Sequence, residues 1–188
     1  HAPIMERAQE LGMICFSTPF DKSAVDFLEE LDVPAYKIAS FEIIDLPLIR
    51  YIAEQEKPII LSTGMATLAE IDEAVRTIRE VGNNQIALLK CTSAYPAPPE
   101  EMNLRTIPHL AAAFGLPAGL SDHTLGIATS VAAVALGACI IEKHFTLSRA
   151  DPGPDSAFSL EPHEFKAMVD AVRETEKTLG TVCYNISE

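Results

Sequence analysis

Short β-rich runs recur along this chain, and each is followed by a segment of helical periodicity. They fall at residues 13–16, 35–39, 58–61, 86–91, 118–120 and 138–142. Strand starts spaced roughly 20 to 30 residues apart are the mark of βα units and a parallel sheet. The runs are apolar without alternation, so both faces of the sheet are covered. Between them, helices are predicted at about 3–11, 22–31, 45–56, 67–81, 104–114, 125–136 and 162–179. In the fourth, Leu68, Ile71, Ala74, Val75 and Ile78 repeat at helical spacing. Thr67 is its predicted cap, with Glu70 completing a capping box. The class is α/β.

Six strands fit either a doubly wound sheet or a (β/α)8 barrel, and the polar residues favour the barrel. Nearly every run ends in small or reactive polar groups: Ser17-Thr18, Lys37 with Ser40 and Glu42, Ser62-Thr63, Thr92-Ser93, Ser121-Asp122-His123, and Glu142 with His144. In a barrel all strand ends converge on one mouth. A doubly wound sheet concentrates its chemistry at one switch point behind a Gly-rich turn, and no GxGxxG or P-loop occurs here. A closed barrel needs eight strands, so the expectation is an incomplete one of about six βα units with the first two missing. Its flanking strands would have unpaired edges, and Ile38, Ile60 and Leu120 are expected to face an interior short of a quarter of its wall.

The chain has 188 residues, enough for one domain, and 48% are apolar, enough for a real core. A net charge of −13 disfavours nucleic acid and anionic membrane as partners. No apolar run approaches the roughly 18 residues of a membrane span. The first residues lack the basic-then-apolar pattern of a signal peptide. Of the cysteines Cys15, Cys91, Cys139 and Cys183, three lie in apolar runs. They read as reduced, buried thiols of a cytoplasmic protein.

His123 and His144 end consecutive strands. Neutral imidazoles suit a divalent transition metal, and two of them leave positions for substrate and water. Each could equally cap a strand end. His109 and His163 lie in helices and His1 is terminal, so these read as structural or exposed. Lys37 sits in an otherwise apolar strand and needs an anionic partner or a lowered pKa. It would bind phosphate or act as a Schiff-base nucleophile, and Lys90 carries the same ambiguity. Alternation from an inward His144 puts Glu142 inward and Lys143 outward, in a structural role. Ser40, Ser62, Thr63, Ser93 and Ser121 supply hydroxyls able to encircle a phosphate or carboxylate, and Gly64 allows close backbone approach. The turn-rich segment 149–155 would cover the mouth and carry Asp155.

Five motifs then stand in one order: Lys37-Ile38-Ala39-Ser40-Phe41-Glu42, Leu61-Ser62-Thr63-Gly64-Met65, Cys91-Thr92-Ser93-Ala94-Tyr95-Pro96, Leu120-Ser121-Asp122-His123-Thr124 and Glu142-Lys143-His144-Phe145-Thr146. From about Met13 to Gly180 the chain resembles the sialic acid synthase family, which includes N-acetylneuraminate, legionaminate and pseudaminate synthases and the spore-coat polysaccharide protein E group. The resemblance implies a TIM barrel that condenses phosphoenolpyruvate with an open-chain N-acylated amino sugar. The products would be a nine-carbon 2-keto acid and phosphate, the cofactor a divalent metal, Mn²⁺ before Mg²⁺ or Co²⁺. It makes His123 and His144 the metal ligands and Thr18, Lys37, Ser40, Ser62, Ser93 and Ser121 the phosphoenolpyruvate ligands. Glu42, Tyr95 and Asp155 would face the sugar.

By the same resemblance, residues 1–180 are a partial barrel domain and 181–188 the start of a linker to a C-terminal antifreeze-like domain, in a protein that is homodimeric at full length. Phe41, Ser93 and the segment Ser156-Ala157-Phe158-Ser159 lean towards the pseudaminate branch, whereas Gly153-Pro154-Asp155 leans towards sialate and legionaminate. Two rivals are a Schiff-base aldolase using Lys37 or Lys90 and a non-catalytic sugar-phosphate-binding scaffold.

Overall fold

The helical periodicities and β-rich runs resolve into a parallel sheet with helices along one face. A computed structural model describes residues 1–184. In chain order the elements are α1 (Ala2–Glu10), α2 (Lys22–Glu30), β1 (Tyr36–Ile38), α3 (Leu46–Ala53), β2 (Ile59–Ser62), α4 (Leu68–Glu80), β3 (Ile86–Cys91), α5 (Thr106–Phe114), β4 (Ala118–Asp122), α6 (Ala128–Ala135), β5 (Ile141–Lys143) and α7 (Pro162–Leu179). Thr67 caps α4 in a complete capping box with Glu70. Residues 181–184 follow α7 without regular structure. The remainder of the expected linker, 185–188, lies outside the described residues. Among the described residues no helix is long and apolar enough to cross a membrane.

The strands run in the order β1-β2-β3-β4-β5, every neighbouring pair parallel. Sequential order with right-handed crossovers puts the connecting helices on one side, which is the wall of a barrel. A doubly wound sheet would reverse its order midway. Tyr36, Ile38, Ile59, Leu61, Leu88, Ala118 and Leu120 share the outer face. They pack against Ile49 and Ile52 of α3, Ile71, Val75 and Ile78 of α4, Ile107 and Leu110 of α5 and Ala133 of α6. The main core therefore lies between sheet and helices. On the inner face Gly119 is required, because a Cβ there would lie 2.4 Å from the carbonyl oxygen of Ile140.

Four expectations need correction. Residues 13–16 form no strand: the segment makes one bridge, Ser17 with Tyr36, and Met13 and Ile14 are exposed. An apolar run becomes a strand only where a neighbour accepts its full ladder, and here one edge is met at a single point. The half-barrel thus has five strands among the described residues. Ile38 and Leu120 lie on the outer face under helices, and of the three expected inward residues only Ile60 has the inward register, opposite Lys37. Lys90 is also outward, because it pairs in register with Leu120 while its neighbour Cys91 pairs with inward Ser121. Of the cysteines only Cys91 is buried. Cys15 is half-buried, and Cys139 and Cys183 are exposed, because Cys139 falls before β5 and Cys183 follows α7.

Candidate active site

At the C-terminal ends of the strands, period-two alternation turns Lys37, Ser62, Cys91, Ser121 and Glu142 inward. They line a cavity of about 360 Å³ together with Thr18, Ala39, Ser40, Tyr95, His123, Lys143 and His144. Eight of the residues singled out from the sequence thus meet in one place, contributed by all five strand ends and the bridge segment. Lys37 is buried, and its Nζ donates to Ser62 Oγ at 2.7 Å and to the Ile38 carbonyl at 3.2 Å. The Glu142 carboxylate lies 3.6 Å from the same Nζ and accepts a hydrogen bond from Ser121 Oγ. One ammonium and several hydroxyls in a confined space have the chemistry to receive a small anion, in competition with the Glu142 carboxylate that faces the same ammonium.

Gly64 closes the hydroxyl side of the recess. Its N–H donates to Ser40 Oγ at 3.0 Å. A Cβ on Gly64 would lie 2.6 Å from Ser93 Oγ, 2.8 Å from Cys91 Sγ and 2.9 Å from Ser40 Oγ. Ser93 therefore abuts the cavity through Gly64 and does not line it.

The His123 and His144 rings are 5.3 Å apart, centroid to centroid. His123 Nδ1 lies 2.9 Å from the Thr92 carbonyl oxygen, which can only accept, so that nitrogen carries a proton, and in the neutral ring Nε2 keeps its lone pair. A ring oriented by a carbonyl through one nitrogen, with the other free, is the arrangement of a metal-ligating histidine. Burial pulls the His123 pKa down, but the Cys91 thiol and the Thr92 carbonyl outweigh it and hold the group above its ordinary value. Burial, then the neighbouring His123 charge, pushes His144 below its ordinary value. A neutral imidazole is the form that binds metal. The Cys91 thiol, raised by burial, is lowered on balance by hydrogen bonds from His123, Ser40 and Ser121.

His144 Nδ1 is 3.5 Å from Asp155 Oδ2, in the loop after β5. Arg149 ties that loop to Glu164 of α7 and to its cap residue Glu161, and within the loop donates to the Ser159 carbonyl. Tyr95 stands 4.2 Å from the His123 ring centroid and 5.6 Å from that of Phe158, which itself lies 5.1 Å from His144. Phe158 thereby forms a wall beside the histidines, a place in the site that the sequence did not give it, since there it stood out only within the segment Ser156-Ala157-Phe158-Ser159. Cys91 escaped notice as a lining residue because it reads as core. Glu42 is not in the cavity. It lies in the 3-10 turn Ser40–Ile44, where its Oε2 is buried without a hydrogen-bond partner. A three-residue acidic and histidine cluster, Glu161, His163 and Glu164, lies at the start of α7 and does not line the cavity.

Five parallel strands in sequential order, with polar side chains converging at their C-terminal ends, are half of a (β/α)8 barrel with a cavity at its mouth. The chain belongs to the NeuB family, whose model matches residues 1–184. It is similar to pseudaminic acid synthase of Campylobacter jejuni, 50% identical over 180 residues, 96% of this chain and 52% of that protein. It is also similar to N,N'-diacetyllegionaminic acid synthase of the same species, 48% identical over 182 residues, 96% of this chain and 54% of that one. Its structure superposes on that of an N-acetylneuraminic acid (sialic acid) synthetase from Leptospira borgpetersenii in complex with citrate. The TM-score is 0.94 at 35% identity, covering 99% of this chain and 65% of that one. The chain spans about half the length of the curated relatives it matches.

Proposed function

We propose that this chain is the anion- and metal-binding half of a nonulosonic acid synthase. The full-length enzyme condenses phosphoenolpyruvate with an open-chain N-acylated hexosamine and water, giving a nine-carbon 2-keto acid and phosphate. The carrying observation is the convergence of Lys37, Ser40, Ser62 and Ser121 on one recess beside the His123–His144 pair. Lys37 and the hydroxyls hold phosphate and carboxylate, and Thr18 completes the ring; the role given to Ser93 by resemblance requires it to reach past Gly64, since it does not line the cavity. Tyr95 and Asp155 face the sugar, which makes Asp155 and Phe158 the loop's contribution. The role given to Glu42 by resemblance requires its carboxylate to move, since it now lies outside the cavity.

His123 and His144 fit a divalent metal, Mn²⁺ before Mg²⁺ or Co²⁺, through the free Nε2 and the second ring. When bound, such an ion supplies Lewis-acid polarisation of an aldehyde oxygen. The residues of the chain do the positioning. The enol carbon attacks the aldehyde carbon while Lys37 fixes the phosphate, and water then adds at the cationic C2. Glu142, between Lys37 and Ser121, is placed to take the proton that this water loses. The tetrahedral intermediate expels phosphate. Holding the reactants in line supplies much of the rate.

For the sugar, Phe41, Ser93 and Ser156-Ala157-Phe158-Ser159 support the pseudaminate branch over the legionaminate and sialate ones. Assembly as a homodimer and a cytoplasmic location are proposed with the family. With Lys90 on the outer face, a Schiff-base aldolase would have Lys37 alone. The test is phosphate release by the full-length protein from phosphoenolpyruvate plus each candidate hexosamine, with and without chelation. Release that needs both the matching sugar and the metal supports the proposal. Release unaffected by thorough chelation contradicts it, and a borohydride-trapped pyruvate adduct would establish the aldolase.

A further inference from the structure

β5 is three residues long and only half-buried throughout. Apolar packing sets register where one face of a strand is buried, and β5 offers the apolar core a single side chain, Ile141. Yet register decides whether His144 meets His123. In the observed ladder Ser121 pairs with Glu142 and Asp122 with Lys143, so the next residues on each strand are the two histidines. A slip of one residue would turn His144 out of the cavity.

Both pairs are chemically matched. Inward, Ser121 donates to Glu142. Outward, Lys143 Nζ lies 3.0 Å from Asp122 Oδ2, and both side chains are essentially inaccessible to water. The Asp122 carboxylate is fully satisfied: Oδ1 accepts from Thr124 N–H and Thr124 Oγ1, each at 2.8 Å, and Oδ2 accepts from Ser130 Oγ at 2.7 Å. Lys143 Nζ also donates to the Thr124 carbonyl. The cluster therefore ties β4, the turn after His123, the first turn of α6 and β5 together. A buried ion pair is weak evidence for stability, because desolvation offsets its Coulombic gain. Its attested use is to fix register, which apolar packing here secures only through Ile141.

We propose that the Asp122–Lys143 pair is a positioning device. It sets the β4–β5 register and so brings His123 and His144 together as one metal-binding pair. This rests on the metal reading above. The test is Mn²⁺ titration calorimetry on the full-length protein beside thermal melting, with His123→Ala as reference. The double variant Asp122→Asn/Lys143→Met keeps shape and removes both charges. We expect cooperative melting with Mn²⁺ affinity lowered at least tenfold. A merely structural pair would lower the melting temperature and leave the affinity of folded molecules unchanged, which overturns the proposal. Should the double variant fail to fold, Ser130→Ala decides, since it loosens the same carboxylate and leaves the pair. Weakened Mn²⁺ binding by folded Ser130→Ala supports the device, and wild-type binding overturns it. If His123→Ala binds Mn²⁺ as the wild type does, the metal reading itself falls and the device with it.

Discussion

Gly64 is the residue with least freedom to change. Three side-chain atoms, on Ser40, Cys91 and Ser93, stand within 2.9 Å of where its Cβ would be. Gly64→Ala must push apart the hydroxyls that ring the anion recess. Overpacking of this kind costs about 1–3 kcal/mol. The expected outcome is a lowered melting temperature together with weaker binding of phosphoenolpyruvate by the full-length protein, read by calorimetry. The histidines should behave differently. His144→Ala removes a half-buried ring at a barrel mouth, so stability should fall by less than about 2 kcal/mol while Mn²⁺ uptake is lost. His123→Ala should also lose uptake, at a larger stability cost because its ring is buried and bonded to Thr92. Normal Mn²⁺ binding by either variant would remove the metal assignment. Lys37, Ser62, Ser121 and the two histidines were legible because strand-end polar residues stand out against apolar runs. Glu42 was not, because a 3-10 turn after β1 rotates its side chain away from the register that a strand would give it.

At the scale of elements, the helices follow their amphipathic pattern closely, and side-chain caps mark the starts of α2, α3, α4 and α7. Thr67→Ala breaks the α4 capping box and should cost about 1 kcal/mol without altering metal or anion binding. A denaturant titration beside calorimetry checks both halves of that statement. The loop after β5 depends on Arg149. Its hydrogen bond, followed by that of the Glu161 N–H, holds the Glu164 carboxyl down to about 2. A carboxylate with a depressed folded pKa contributes its stability above the unfolded value, about 4.5, and loses it as pH falls towards about 2. Hydrogen exchange across residues 149–160 should therefore be flat from pH 7 to pH 5, once corrected for the intrinsic rate. Protection should fall only as the medium becomes more acid than pH 4.5. Loss of protection already near pH 6 would mean that another group anchors the loop. Residues 13–16 misled for the opposite reason to the helices: their composition says strand, but strand formation is settled by a neighbour, which no local window contains.

For the whole molecule, the five-stranded wall exposes its edges and a groove of about 530 Å³ lined in part by Met5, Met13, Ile14 and Leu31. Unpaired parallel edges beside exposed apolar residues favour association. The 188-residue chain on its own should self-associate with rising concentration in light scattering. A strictly monomeric, cooperatively melting species would show that the half-barrel closes upon itself. Fold class was readable from the βα repeat, because periodicity reports which faces are covered. That the Asp122–Lys143 pair lies opposite across β4 and β5 was not readable, because register is a property of two strands at once.

The most direct measurement is anomalous diffraction at the manganese edge from crystals of the full-length protein grown with Mn²⁺ and phosphoenolpyruvate. The expected result is one anomalous peak within ligand distance of both His123 and His144, with phosphate density held by Lys37 and Ser62. Anomalous signal confined to Glu161, His163 and Glu164, or phosphate bound away from Lys37, would contradict it.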